Sequence, residues 1–194
     1  MNIILLLFHF LFWLSPQKNA TIATVNGEPI HENELKFEMY ALRTGVYTYF
    51  VGKYPSADDT FKWRKKYGDE IPEITLQKRA LHKAIRIKFQ QTLMKKYGIQ
   101  KDISYTQFQI EFKHYTDQRA KAIAHHEIVY GPPQTTESEY YSYVFSNNLN
   151  PLLDSLKAHY QVDRKNYQKW IDSELQKATI NIYSSRLKKV FIDP

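Results

Sequence analysis

With 194 residues, 43% of them hydrophobic and none of them cysteine, the chain can bury one sizeable core but can build no disulfide, thiolate metal site or cysteine nucleophile. Only 6 Gly and 8 Pro stand against 15 Tyr and 11 Phe, which excludes a turn-rich all-β protein and a low-complexity chain and points to a core rich in aromatic rings. The 27 Lys and Arg against 20 Asp and Glu give a formal charge of +7, a moderate excess that suits solubility or an anionic membrane or wall surface.

Read in chain order, Ile3 to Leu14 form an apolar run that is short for a membrane span and fits the core of a signal peptide. Ser15-Pro16 breaks the run, and Lys18-Asn19-Ala20 makes a polar, small-residue exit. The segment before the run is Met1-Asn2, without Lys or Arg, so two readings stay open: a cleaved signal peptide or an uncleaved N-terminal anchor over residues 1–20. Either places residues 21–194 outside the cytoplasm, secreted or at the cell surface, as a single domain.

Thr21 to Val25 is β-branched and apolar and reads as a strand. Asn26-Gly27 is a two-residue turn signal, because both positions tolerate positive φ. Glu28-Pro29-Ile30 is the return arm, and Pro29 confines it to an edge because it has no N–H to donate. His31 then stands at a helix N-cap with Glu34 three residues on, the spacing of a capping box whose Glu half is the better made. The first helix is predicted from Glu32 to Tyr49 on Leu35, Met39 and Leu42, with Gly45 weakening it. Val51 to Asp59 reads as a loop and Thr60 to Tyr67 as a short helix closed by Gly68.

The strongest periodicity runs from Thr75 to Tyr97, where Leu81, Ile85, Phe89, Leu93 and Tyr97 form one row and Gly98 stops the helix. Ser104 with Gln107 opens a further helix to about His125. Gly131-Pro132-Pro133 breaks the chain. Thr136 with Glu139 opens another helix through Tyr140, Tyr143, Val144, Leu149 and Leu156. Asp163 is expected to cap a last one, with Tyr167, Trp170, Ile171 and Leu175 inward. Val190-Phe191-Ile192 reads as a closing strand that pairs with the first hairpin and ties the chain ends together. The predicted fold is therefore mainly α, a multi-helix domain with a small sheet joining its N- and C-terminal ends.

Motifs for chemistry are missing. His114, His125 and His126 lack metal-ligand spacing, and His31-Glu32-Asn33-Glu34-Leu35 lacks the second His of a zinc-protease motif. There is no nucleophile elbow and no Gly-rich phosphate loop. The carboxylate pairs Glu137/Glu139 and Asp58/Asp59 sit in loops or helix starts, where they offset orphan N–H groups. The basic runs Lys62-Trp63-Arg64-Lys65-Lys66 and Lys78, Arg79, Lys83, Arg86, Lys88 read as solvated faces, so no nucleic acid is expected. Three aromatic clusters stand out: Tyr47, Tyr49, Phe50 and Tyr54; Phe61, Trp63 and Tyr67; and Tyr140, Tyr141, Tyr143 and Phe145. Aromatic residues at helical spacing are more often core than surface. The first cluster lies beside Gly45 and Gly52, where it could present an apolar patch to a partner.

The stretch Ile22-Ala23-Thr24-Val25-Asn26-Gly27-Glu28-Pro29-Ile30, followed by Glu34-Leu35, resembles the opening of the SurA/PrsA-type extracytoplasmic foldases. Leu81-His82-Lys83-Ala84-Ile85 and Leu93-Met94-Lys95-Lys96-Tyr97-Gly98-Ile99 are similar to the second major helix of that family and its Gly-Ile exit. Ser104 resembles the restart that follows. The resemblance covers Thr21 to Gln118 and extends loosely beyond. It implies the family's N-terminal chaperone domain without the parvulin isomerase, for which the length leaves little room as a separate domain. It further implies ATP-independent binding of unfolded or exported polypeptides, with no cofactor, no metal and no catalytic residue carried over. Tyr47, Phe50, Tyr54, Phe61 and Trp63 are the candidate client-binding residues. The alternatives are a prolyl-isomerase-related enzyme and an accessory surface protein holding one dedicated partner.

Overall fold

The computed structural model describes residues 19–54 and 61–192, so the apolar run, the acidic pair Asp58/Asp59 and Thr60 lie outside the described residues. Asn26 and Gly27 take φ of 51° and 86°, which closes a tight hairpin between β1 (Thr21–Val25) and β2 (Glu28–His31). Ile22, Ala23 and Val25 are fully buried. Pro29 pairs opposite Thr24 on β2, an outer strand of the sheet order β2-β1-β3.

Among the described residues six helices follow this hairpin. α1 (Glu32–Lys53) runs four residues past the expected end, because Gly45 and Gly52 are tolerated inside it. The His31 N–H donates to Glu34 Oε2 at 2.8 Å, the Glu half of the capping box. The His31 ring turns instead to Asn19 O (3.0 Å), and Asn19 Oδ1 accepts from the Asn33 N–H (3.0 Å), so a residue upstream of β1 supplies the side-chain cap. α2 (Pro72–Lys96) starts with Pro at its first position and ends at Gly98, whose φ is 70°. α3 (Tyr105–Ala124) and α4 (Glu137–Tyr160) are capped by Ser104 and Thr136, whose hydroxyls accept from the Gln107 and Glu139 N–H groups at 3.2 Å each.

α1 and α2 form an antiparallel pair, in which Glu38 meets Lys83 and Glu34 meets Lys88. The main core gathers Leu35, Met39, Phe50, Leu76, Met94, Leu152, Leu156 and Ile171 beneath the sheet residues. A second cluster, of Phe37, Ile87, Tyr105, Phe108, Tyr140 and Tyr141, seats α3 and α4 on the first pair.

Four expectations are corrected. The closing strand is β3 (Ile180–Ile182), paired antiparallel with β1 through Ala23–Ile182 and Val25–Ile180, and Val190 to Ile192 is not a strand. The tie between the chain ends holds all the same. A two-turn helix at Phe61 to Tyr67 does not form. Phe61 packs on both Trp63 (5.0 Å) and Tyr67 (6.0 Å), and residues two apart on a helix would point to opposite sides. Asp163 caps a turn, with Oδ1 accepting from the Asn166 N–H at 2.8 Å, and α5 (Tyr167–Leu175) starts beyond it. Lys88 is not on a solvated face: it is 2% exposed and pairs with Glu34. A short α6 (Ser184–Leu187) completes the described chain.

Candidate functional site

The five residues singled out in the sequence meet where the end of α1 faces the connection into α2. Phe50 is fully buried and belongs to the main core. Tyr54, Phe61 and Trp63 are half-buried and pack against that core, whereas Tyr47 is 39% exposed. Tyr47–Phe61 ring centroids are 4.9 Å apart, Phe61–Trp63 5.0 Å and Phe50–Tyr54 5.8 Å, with Tyr67 against Phe50, Tyr54 and Phe61. The rings fill one another's space, so they make a packed knot with Tyr47 at its rim.

Glu70 lies against this knot and accepts from Lys53 Nζ (2.6 Å), Tyr54 Oη (3.0 Å) and Tyr49 Oη (3.1 Å). The Lys53 hydrogen bond holds the Glu70 carboxyl below its ordinary range, and Glu70 in turn holds Lys53 above its own. Partial burial, and then Glu70, push Tyr54 upward. The arrangement is an exposed-to-half-buried ion and hydroxyl cluster that fixes the α1–α2 end.

The larger unpartnered surface lies on the other helix pair. α3 buries only Tyr105 and Phe108, at its start, among its twenty residues. From there a ladder of rings climbs outward. Phe108 stacks on Phe112 (6.3 Å), Tyr140 touches Phe112 (5.5 Å) and Tyr115 (4.6 Å), and Tyr143 lies 6.4 Å from Tyr115. The base of the ladder is deep: burial drives the phenols of Tyr141 and Tyr105 upward, with Glu137 adding to the effect at Tyr105. Its top is wet, with Tyr143 55% exposed. Beyond it, Arg119 stacks over Tyr115 and donates to the carbonyls of Tyr130 (3.0 Å) and Pro132 (2.5 Å), fastening the 125–136 connection to α3. Between connection and helix runs an open groove of about 580 Å³, walled by Thr116, Arg119, Ile123 and Pro133. Ile128 and Tyr130 stand 84% and 87% exposed on the same connection.

The sequence reading grouped Tyr140, Tyr141, Tyr143 and Phe145 together. The structure buries Tyr140 and Tyr141, half-buries Phe145 and exposes Tyr143. The sequence pattern did not flag Ile128 and Tyr130, although an Ile-Val-Tyr run just before the break at Gly131-Pro132-Pro133 is an apolar signal at a helix boundary. His114, His125 and His126 are exposed and spread along α3 and its end, and no group of three potential metal ligands comes together among the described residues. No helix among the described residues is long and apolar enough to cross a membrane. Comparison with family models, curated proteins and solved structures returned no match to this chain, so a functional reading rests on its own residues and geometry.

Proposed function

We propose that the chain is an ATP-independent, chaperone-like binder of unfolded or extended polypeptides outside the cytoplasm, with the α3–α4 arm as the surface on which a client rests. The observation that carries this reading is the ladder from Tyr105 to Tyr143 and on to Ile123, Ile128 and Tyr130. Apolar side chains begin in the core and continue into water, along α3 and a connection that bury little else. Contiguous exposed apolar surface next to a groove is the mark of a polypeptide-binding face. Aromatic rings supply broad, adaptable contact with little demand for a particular sequence. An extended client segment would lay apolar side chains between Ile123 and Tyr130 while its backbone stays hydrated. The resemblance of Ile22 to Leu35 and of Leu93 to Ile99 to the foldase family supports the same reading independently of the arm.

The test is suppression of aggregation of a chemically unfolded client by the purified protein. Suppression at a few-fold molar excess, weakened by the double variant Ile128→Ser/Tyr130→Ser, is the expected result. No suppression at tenfold excess would overturn it. A proline-limited refolding assay run alongside separates binding from catalysis, and acceleration there would favour the isomerase-related reading. Recovery of a single stoichiometric partner, with no effect on unrelated unfolded clients, would favour the accessory-protein reading.

A further inference from the structure

The net charge of the chain is not spread evenly in space. The end of α1, the connection at 61–71, the start of α2 and the chain end beyond β3 all meet. Arg43 stacks over Trp63 (5.5 Å), Arg79 over Tyr49 (4.7 Å) and Arg64 over Phe191 (5.1 Å). Gln77 donates to the carbonyls of Leu187 and Val190. Residues 61–79 and 186–189, with Arg43 and Lys53, carry eleven of the 27 basic residues against three acids, Asp69, Glu70 and Glu73. Counting the sequence neighbours Asp58, Asp59 and Asp193 against it, this end still carries +5 of the chain's +7.

The acids neutralise only part of it. Glu70 takes Lys53, Glu73 takes Arg64 and Asp69 takes Lys66. Lys62, Lys65, Lys78, Lys188 and Lys189 are exposed and have no ion pair among the described residues. Rings stand among these cations: Phe191 is 40% exposed, Tyr47 39%, and Trp63 is half-buried under Arg43. Cations for headgroups, beside rings that tolerate the boundary of water and hydrocarbon, are the composition of an interfacial contact.

We infer that this basic, aromatic-edged end docks on an anionic phospholipid surface. Two observations favour lipid over nucleic acid. Phe61, Trp63 and Tyr67 are spent on one another, so their faces are not free to stack on bases. Lys62, Lys65, Lys78, Lys188 and Lys189 lie on a connection, a helix start and a chain end rather than along one stripe that would follow a phosphate backbone. The geometry also suits the chain as a whole. Glu34, where the arm is seated, and Lys53, at the basic end, are nineteen helical residues apart, about 28 Å. Docking by this end therefore sets the seat of the arm back from the surface.

The experiment is co-sedimentation of the full chain with vesicles of phosphatidylcholine alone and of phosphatidylcholine with one-quarter phosphatidylglycerol, at low and at physiological salt. The variant Lys62→Glu/Lys65→Glu/Lys188→Glu is compared with Lys113→Glu/Lys121→Glu/Lys157→Glu, which changes the net charge equally elsewhere. Binding that depends on phosphatidylglycerol and weakens with salt is expected, falling at least a hundredfold in the first variant at roughly fivefold per lysine, and much less in the second. An unchanged preference for anionic vesicles in the first variant would overturn the proposal, as would equal losses in both. So would binding to single-stranded RNA or duplex DNA tighter than to the anionic vesicles at the same salt. Aggregation suppression by the first variant is scored separately, so failure here leaves the arm's role intact.

Discussion

Glu34 of α1 and Lys88 of α2 meet at 2.7 Å with their side chains 3% and 2% exposed. The carboxylate also accepts from the His31 N–H (2.8 Å) and from Tyr141 Oη (3.2 Å), so one buried group joins the start of α1 to α2 and α4. Lys88 Nζ reaches the Ile103 carbonyl at 3.5 Å, toward the connection into α3. A buried pair of this kind offsets its desolvation only while both partners remain. Lys88→Met leaves the carboxylate uncompensated and should cost about 3–5 kcal/mol. Adding Glu34→Gln to it removes the orphan charge and should recover part of that loss. Urea unfolding midpoints of the two single variants and the double variant check this, and equal destabilisation of Lys88→Met and the double variant would contradict it.

Much of the fold could be read locally because its signals are local. Asn26-Gly27 needs no partner to prefer positive φ, and Ser104 and Thr136 cap helices with N–H groups three residues away. What could not be read depends on partners distant in sequence. Lys88 looks like one more basic residue of a solvated face until α1 brings Glu34 beside it. Ile180-Asn181-Ile182 and Val190-Phe191-Ile192 are equally short, and the later one is the more apolar. Only the free edge of β1, reached first through Asn26 N–H donating to Thr179 O (2.8 Å), selects the earlier one. The candidate site divided in the same way. Aromatic identity marks Tyr47 and Phe50 alike, and i, i+3 spacing puts them on neighbouring parts of one helix face, so only the packing of distant segments leaves one at the rim and the other in the core. Ile128 and Tyr130 were overlooked because no periodicity flags an apolar residue in a connection.

Alkaline pH should unfold the domain cooperatively. Burial pushes Tyr167 up to about 12 and Tyr141 well above its ordinary value, and it raises Tyr105 as well. In the unfolded chain these phenols release their protons near pH 10. Between pH 10 and 12 the folded state therefore holds protons that the unfolded state has lost. Stability is intact below about pH 10 and falls as pH rises. Thermal melts followed by circular dichroism should be level from pH 7 to 9 and drop steeply by pH 11. The late part of the phenolate absorbance should rise together with the loss of helix. Complete phenolate formation near pH 10 with the helices intact would refute the assignment.

The chain end is held by a side chain that no local pattern singles out. Gln77, 6% exposed on α2, donates its Nε2 to Leu187 O at 2.7 Å and to Val190 O at 3.0 Å. Val190 is buried beneath it and Phe191 points out under Arg64, so the last described residues lie on α2 without a strand to carry them. Gln77→Met keeps the volume and removes the donor, leaving two carbonyls to find other partners. The loss should be about 1–3 kcal/mol, since one buried acceptor costs that much and the other can reach water. Its effect should also be local. Hydrogen exchange should quicken at the amides of Leu187, Lys188 and Val190, which donate to Tyr183, Ser184 and Leu187. The Tyr183 amide, bonded to Ile22 O of β1, should stay protected because the sheet, not Gln77, holds it. Loss of protection at Tyr183 as well would mean that the chain end and the sheet open as one unit.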